Sequence, residues 1–321
     1  MIKNSTILGI DISKDSFDVF SEEGGHKSFR NTLEGFCLFY KALSLDHWVV
    51  MEATGSYHHR LALFLHQKGI CLSVVNPLVI KRFIQMKLNR VKTDKSDARM
   101  ICKYGEEASL DAWNPDPEYM RECKQLQSVI GVYTKQQTAL KNKLHSLNSS
   151  GVSSGCMVRS LKRQLKALKR EITALQDKME ALIKEHEQDV YTRIQSIPGM
   201  GKKTAMLLIV ATNGFRDFES SKQIASYLGL APHERSSGSS VRGRARIGKN
   251  GHPAVRNHLF LCSFTACMYN PQCKALYERI VAKGKSKKLA LIAVSNKLIK
   301  QAFGIAKSGL YYDENHRGRL A

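Results

Sequence analysis

The run Ile7-Leu8-Gly9-Ile10-Asp11-Ile12-Ser13 decides how the first third of this chain folds. Aliphatic residues in a stretch too short for a helix predict a buried strand over 6–10, and the run closes on a carboxylate. Gly9 removes side-chain bulk two residues before that acid. A second apolar run, 47–51, closes on Glu52 and continues Ala53-Thr54-Gly55. Between and beyond them, 17–20 is a short apolar run, 26–31 a third candidate strand and 72–75 another. Residues 36–43 and 57–67 are helical in period, Asn76-Pro77 marks a boundary, and helices are predicted over 77–87 and 96–104. Three strands followed by strand–helix alternation predict an α/β unit over 1–110, a mixed sheet with helices on it.

Two more carboxylates stand in Lys92-Thr93-Asp94-Lys95-Ser96-Asp97-Ala98-Arg99. Asp94 and Asp97 are three apart and share a helix face. The surrounding stretch, 81–103, holds eight Lys or Arg against two Asp. Three or four carboxylates within a few ångströms repel one another unless a cation binds. Mg²⁺ prefers such an oxygen site and leaves positions for water and phosphate. A pair of ions about 3.5–4 Å apart stabilises in-line displacement at phosphorus. Asp11, Glu52, Asp94 and Asp97 are therefore the candidate metal ligands, with Lys92 and Arg99 as candidate nucleic-acid contacts. For Asp94 or Asp97 alone, a capping or solvated helix position is the plainer account; the ordered set of four favours metal.

The bulk properties agree with a nucleic-acid partner. The 321 residues suffice for two or three domains, and 50 Lys plus Arg against 28 Asp plus Glu give a net charge of +22. Such a chain serves a polyanion, nucleic acid first and a membrane surface second. No 18-residue apolar run and no secretory signal are evident, so no membrane span or export is expected. The eight cysteines form no C-x-x-C pair, which excludes zinc-ligand spacing and fits reduced thiols in the cytoplasm.

Residues 121–190 have a different period. Leu126, Ile130, Tyr133, Gln137, Leu140, Leu144 and Leu147 alternate spacings of four and three. After a Ser/Gly loop, Leu161, Leu165, Leu168, Ile172, Leu175, Met179 and Leu182 repeat them. That is the seam of a coiled coil, within one hairpin or between subunits, and its natural role is a spacer or dimerisation arm.

Residues 191–321 are basic again. From 221 onward, 18 Lys or Arg stand against 4 Asp or Glu. Ile194-Gln-Ser-Ile-Pro-Gly-Met-Gly-Lys-Lys-Thr-Ala205 has the form of a helix-hairpin-helix, in which Gly199, Gly201, Lys202 and Lys203 offer a phosphate both backbone N–H groups and charge. An ordinary helical hairpin is the plainer alternative. The run Ser236-Ser237-Gly238-Ser239-Ser240-Val241-Arg242-Gly243-Arg244-Ala245-Arg246 is a second candidate centre. A serine attacks phosphorus only if its proton is removed and the phosphate neutralised; Arg235, Arg242, Arg244 and Arg246 would serve the second. By composition alone, a Ser/Gly loop whose arginines touch backbone phosphates is the simpler account.

The ordered set of motifs, from Gly9-Ile-Asp11 through Glu52-Ala-Thr-Gly55, Asn76-Pro77, Lys92-Thr-Asp-Lys-Ser-Asp-Ala-Arg99 and Ile197-Pro-Gly-Met-Gly201 to Ser237-Gly-Ser-Ser-Val-Arg-Gly243, closely resembles the IS-one-ten family of insertion-sequence recombinases. The likeness runs from about residue 6 to 310. It implies a RuvC-like, RNase H-like DEDD domain over 1–115, a coiled-coil hairpin or oligomerisation arm over 116–190, and a helical transposase domain with a helix-hairpin-helix and a catalytic serine over 191–321. It carries the acidic site onto Asp11, Glu52, Asp94 and Asp97 and the nucleophile onto Ser237, with Ser236, Ser239 and Ser240 close by.

The same resemblance implies Mg²⁺, donor and target DNA, a structured non-coding bridge RNA that guides both, and a homo-oligomer, dimer or tetramer, working in the cytoplasm at the nucleoid. Ser237 would attack the scissile phosphate to give a phosphoserine–DNA link and a free 3′-hydroxyl. That hydroxyl would then attack the exchanged strand's phosphoserine, so that no ATP is needed. Three rivals are a RuvC-like junction nuclease using water, a sugar or acetate kinase-like fold, and an RNA-binding scaffold with a dead site. Neither a kinase-like fold nor its turn calls for a charge of +22.

Overall fold

A computed structural model describes residues 6–88, 93–151, 154–233, 236–237, 241–242, 246–248 and 251–315. At 233, 236, 237, 241, 242 and 246 the backbone alone is described. The chain divides into two compact units, Met1–Pro115 and Asp116–Ala321.

The first unit is built on β1 (Thr6–Ile12), β2 (Ser16–Ser21), β3 (Gly25–Arg30), β4 (His47–Glu52) and β5 (Cys71–Val75). They form one mixed sheet in the order β3-β2-β1-β4-β5. β1, β2 and β3 are antiparallel neighbours, while β4 and β5 run parallel to β1. The helices are α1 (Leu33–Tyr40), α2 (His58–Gln67), α3 (Pro77–Met86) and α4 (Asp94–Glu107). Strand alternation sorts the apolar side chains into two cores. Leu8, Ile10, Ile12, Phe17 and Val49 pack with Phe36 and Phe39 of α1 and Leu61 and Leu65 of α2. Ile7 and Val50 point the other way, to Ile80 of α3 and Ile101 and Cys102 of α4. The mixed sheet expected from the sequence is present. α4 starts two residues earlier than the period predicts, because the Thr93 side chain caps it by accepting from Ser96 N at 3.2 Å.

Two glycines fix where α4 lies. A Cβ on Gly9 would stand 2.2 Å from Cys102 N and 2.3 Å from Ala98 O. One on Gly105 would stand 2.7 Å from Ile7 Cγ2 and 2.8 Å from Val50 Cγ2. Helix backbone therefore rests directly on the strands, as only glycine permits. Gly105 meets Ile7 while Ala98 meets Gly9, so α4 runs antiparallel to β1 and aims its first turn at the strand end that carries Asp11.

The second unit is helical: α5 (Glu118–Ser149), α6 (Gly155–Gln195), α7 (Lys202–Ala211), α8 (Ser221–Tyr227), α9 (Pro253–Tyr269), α10 (Pro271–Ala282) and α11 (Lys287–Ser308). Between α8 and α9 lie four two-residue strands, β6 (Pro232–His233), β7 (Ser236–Ser237), β8 (Val241–Arg242) and β9 (Arg246–Ile247), with β6 paired to β9 and β7 to β8. α5 and α6 pack on each other. From 128 to 149 the positions that are not exposed are 130, 133, 137, 140, 144 and 147, the apolar seam of the sequence. α6 breaks its helical geometry at Glu187 (φ −133, ψ 25). That carboxylate is buried, pairs with Arg216 and accepts from the Tyr119 hydroxyl, tying the base of α5 and α6 to the turn after α7. α11 is long and apolar enough by length and composition alone to cross a membrane. It packs on α9 and α10 with Ala290, Val294, Leu298 and Ala302 buried, so its apolarity serves the core of this unit.

Candidate active site

In the first unit the acids come from three separate stretches. Asp11 and Glu52 lie one step beyond the last register pair of β1 and β4, Ile10–Met51, and their strand parity puts both on the face covered by α4. Asp94 and Asp97 occupy the first turn of α4, where the positive end of the helix dipole favours carboxylates. Glu52 accepts from Thr54 Oγ1 at 3.2 Å, and Asp97 from Ser96 Oγ at 3.4 Å. Burial, then the charges of Asp97, Glu52, Asp94 and Asp18, push the Asp11 carboxyl up to about 6. Burial and the Asp97 charge also raise Glu52, against the opposing Thr54 hydrogen bond. Carboxylates distant in sequence thus feel one another in space.

The donor set is all oxygen, which suits a hard divalent cation. Among the described residues no three His, Cys, Asp or Glu converge closely enough to ligate one. The repulsion that adds to burial in raising Asp11 also opposes convergence when no cation offsets it. Arg99 is exposed on the same helix, with its guanidinium 5.7 Å from the Phe20 ring centroid. Lys92 lies outside the described residues.

The sequence reading passed over two residues here. Asp18 on β2 is the direct cross-strand partner of Asp11, and His26 Nε2 stands 2.8 Å from its Oδ1. Like charges directly opposite one another destabilise a sheet, and His26 on β3 offsets part of that cost. The signal was present in Phe17-Asp18-Val19-Phe20, since a hairpin pairing of 9–12 with 17–20 puts Asp18 beside Asp11.

In the second unit, Ser237 pairs with Val241 and Ser236 with Arg242, a short antiparallel ladder across residues 238–240. Arg246 lies on β9. Ser239, Ser240 and Arg244 lie outside the described residues, as do the side chains of Ser237, Arg242 and Arg246. The turn between α6 and α7 holds the other candidates. Gly199 has φ +97, and a Cβ there would stand 2.8 Å from Ala266 N, so this glycine is needed both for the turn and for its seat on α9. Gly201 precedes α7 and faces open space. Lys203 is exposed, whereas Lys202 is held 3.4 Å from Glu180. A cavity of about 480 Å³ lies against this turn, lined in part by Gly199, Thr204, His258 and Cys262. Burial, and then the Lys203 charge, hold His258 below the usual imidazole range.

A mixed sheet gathering acids under one helix, in a chain of net charge +22, defines an enzyme that works on nucleic acid. Comparison with known proteins agrees. Residues 191–278 match a family described as Transposase IS116/IS110/IS902, and residues 8–148 match a transposase family of the DEDD type. A pilin gene-inverting protein of Moraxella bovis is 28% identical over 327 residues, covering 97% of this chain and 98% of that one. The transposase for insertion sequence element IS1111A of Coxiella burnetii is 24% identical over 329 residues, 92% and 88% of the two chains. An uncharacterised insertion element IS110 protein of Streptomyces coelicolor is 30% identical over 157 residues, 49% of this chain and 38% of that one. The chain carries IS110-family transposase domains and is a DNA transposase. Its DEDD domain points to dependence on a divalent metal.

Proposed function

We propose that this transposase cuts and exchanges DNA strands through a phosphoserine–DNA intermediate, with Mg²⁺ at Asp11, Glu52, Asp94 and Asp97 and with a bridge RNA choosing donor and target. The observation that carries the reading is the gathering of acids from β1, β4 and α4, where the Asp11 carboxyl, raised first by burial, also feels the charges of Asp97, Glu52 and Asp94. The β3-β2-β1-β4-β5 order is in keeping with an RNase H-like, RuvC-like domain over 1–115. Bound there, the ion would neutralise charge on the phosphate under attack. Asp11 and Glu52 would hold it from the strand ends, and Asp94 and Asp97 from the helix. The Ser237 oxygen forms a bond to phosphorus as the bond to the 3′ oxygen breaks; the serine hydroxyl gives up a proton and the leaving oxygen gains one. The number of phosphoester bonds is unchanged, so reversal by another strand's 3′-hydroxyl needs no ATP.

Gly199, Gly201, Lys203 and Lys202 would seat a backbone phosphate in a helix-hairpin-helix, and Lys92, Arg99, Arg242, Arg244 and Arg246 would add charge along the nucleic acid. α5 and α6 would act as a coiled-coil arm that assembles a dimer or tetramer, since paired cutting requires more than one subunit. The domains would then be 1–115, 116–190 and 191–321, working in the cytoplasm at the nucleoid. Phosphate contacts carry no sequence information, so base pairing with RNA would supply the choice of target.

The deciding experiment traps the adduct. Purified chain with its RNA and a nicked suicide substrate should yield a covalent protein–DNA species that Ser237→Ala abolishes. An adduct that survives Ser237→Ala and disappears in Ser239→Ala or Ser240→Ala would move the nucleophile. Cleavage without any adduct would establish a water-using nuclease of the RuvC type instead. Recombination at a defined sequence by protein freed of RNA would remove the guide.

A further inference from the structure

A groove of about 1370 Å³ lies in the second unit, above the ~300–1,000 Å³ usual for small-molecule sites. Its floor is apolar, with Leu276 on α10 and Leu289, Ile292 and Ala293 on α11 among the lining residues. Its rim is cationic, with Arg256, Arg279, Lys288, Lys297 and Lys300, and no carboxylate lines it. Arg256 is held by the Leu228 carbonyl at 2.9 Å. Among the described residues Arg279, Lys288, Lys297 and Lys300 have no carboxylate partner. The third wall is Pro232 and Ile247, the paired strands β6 and β9 that bracket the serine ladder. None of these cations belongs to a motif recognised in the sequence.

We infer that this groove binds an unpaired nucleic-acid strand, bases toward the aliphatic floor and phosphates along the lysine rim, leading to the serine ladder. The charge complementarity selects a polyanion. The floor selects the form of that polyanion: a duplex keeps its bases stacked inside and offers phosphates outward, whereas a separated strand exposes base faces that need apolar contact. Lys297 and Lys300 recur at helical spacing with Ile292 and Ala293 along α11, so rim and floor follow one direction, as a strand in transit requires. The inference rests on the proposed cleavage of DNA near Ser237, and it names the state in which that DNA is held.

The test is a titration of the full-length chain, in chelator, with a fluorescent single-stranded oligonucleotide and in parallel with the same sequence as a duplex. Lys288→Gln/Lys297→Gln/Lys300→Gln should weaken single-strand binding by about tenfold and flatten its log–log salt dependence by about 2. Duplex affinity should change by less than about threefold under the same conditions. Leu289→Ser, at a half-exposed floor position, should weaken the single strand by about threefold with the salt dependence unchanged, because the lost contact is uncharged. Equal losses on single strand and duplex would overturn the groove in favour of a general basic surface. Unchanged binding of both, with subunit association lost in light scattering, would overturn it in favour of a protein partner. Wild-type protein that shows the single-strand preference and never forms a Ser237 adduct would defeat the phosphoserine reading and leave the groove intact.

Discussion

The acidic face and the serine ladder are held in opposite ways. Asp11, Glu52, Asp94 and Asp97 stand on long elements locked into a two-sided core, with α4 seated on β1 through Gly9 and Gly105. Ser237 stands on a two-residue strand whose one described backbone partner is another two-residue strand. Groups that must act together on charge need fixed spacing, and burial supplies it. A nucleophile delivered to a bound phosphate takes its final position from the substrate, so less of its placement is built into the protein.

The largest effect should fall on the acids. Asp11→Asn should lower strand cleavage by about 10³-fold, since it removes charge from the proposed cation site. The same change should stabilise the metal-free first unit. A carboxyl raised from its ordinary 3.8 to about 6 penalises the folded state once it ionises, so the penalty grows from pH 4 to pH 6 and persists above. After allowance for solvent screening, relief of about 1–2 kcal/mol is expected at pH 7.5, vanishing near pH 4. Trp48 and Trp113, the two tryptophans of the chain, both lie in the first unit, so fluorescence-detected urea unfolding in chelator reads it within the full protein. Wild-type activity, or lower stability at pH 7.5, would show that the acids do not act as a repelling set.

Next comes the seat of α4. Gly9→Ala drives a methyl into helix backbone that has no room for it, and should cost the first unit about 3 kcal/mol. Cleavage should fall with it, while binding of duplex DNA by the second unit changes little. A Gly9→Ala protein with unchanged tryptophan unfolding would mean that the contact yields and that the acids are not held rigidly.

The corresponding lock in the second unit is Glu187. Glu187→Ala leaves Arg216 without its buried partner and should cost about 2–3 kcal/mol in unfolding followed by far-ultraviolet circular dichroism, with the tryptophan transition unmoved. A shift of both transitions would make the two regions one cooperative unit and erase the contrast.

The smallest effect belongs to the turn after α6. Lys203→Gln should weaken DNA binding by about two- to fivefold and reduce the salt slope by about 1, uniformly across sequences. An effect confined to one DNA sequence would show base reading where backbone contact is proposed.

Much of the first unit was legible from alternation. The runs before Asp11 and Glu52 are strands because their aliphatic residues have no other way to be buried, and Asn76-Pro77 announces a helix start, whereas the Thr93 cap that starts α4 two residues early was passed over. The four-three spacing of 126–147 was legible for the same reason and survives as the less exposed face of α5. Asp18 and His26 escaped because a carboxylate between Phe17 and Val19 looks like an ordinary polar strand position until β2 is paired with β1 in register. The groove cations escaped because Arg279, Lys288, Lys297 and Lys300 are scattered over two helices and read singly as solvated surface.

The sequence by itself determined the elements, the charge and the identity of the candidate acids, because periodicity, caps and composition are local properties that each segment carries alone. Only the tertiary structure decided which acids meet. The distance between Asp11 and Asp97 depends on how closely a helix can approach a strand, and that depends on the two glycines meeting backbone and methyl groups dozens of residues away. The raised Asp11 carboxyl follows from that approach, as the groove follows from the way α10 and α11 pack beside β6 and β9. Proximity of this kind is a property of packing, which no single stretch of the chain contains.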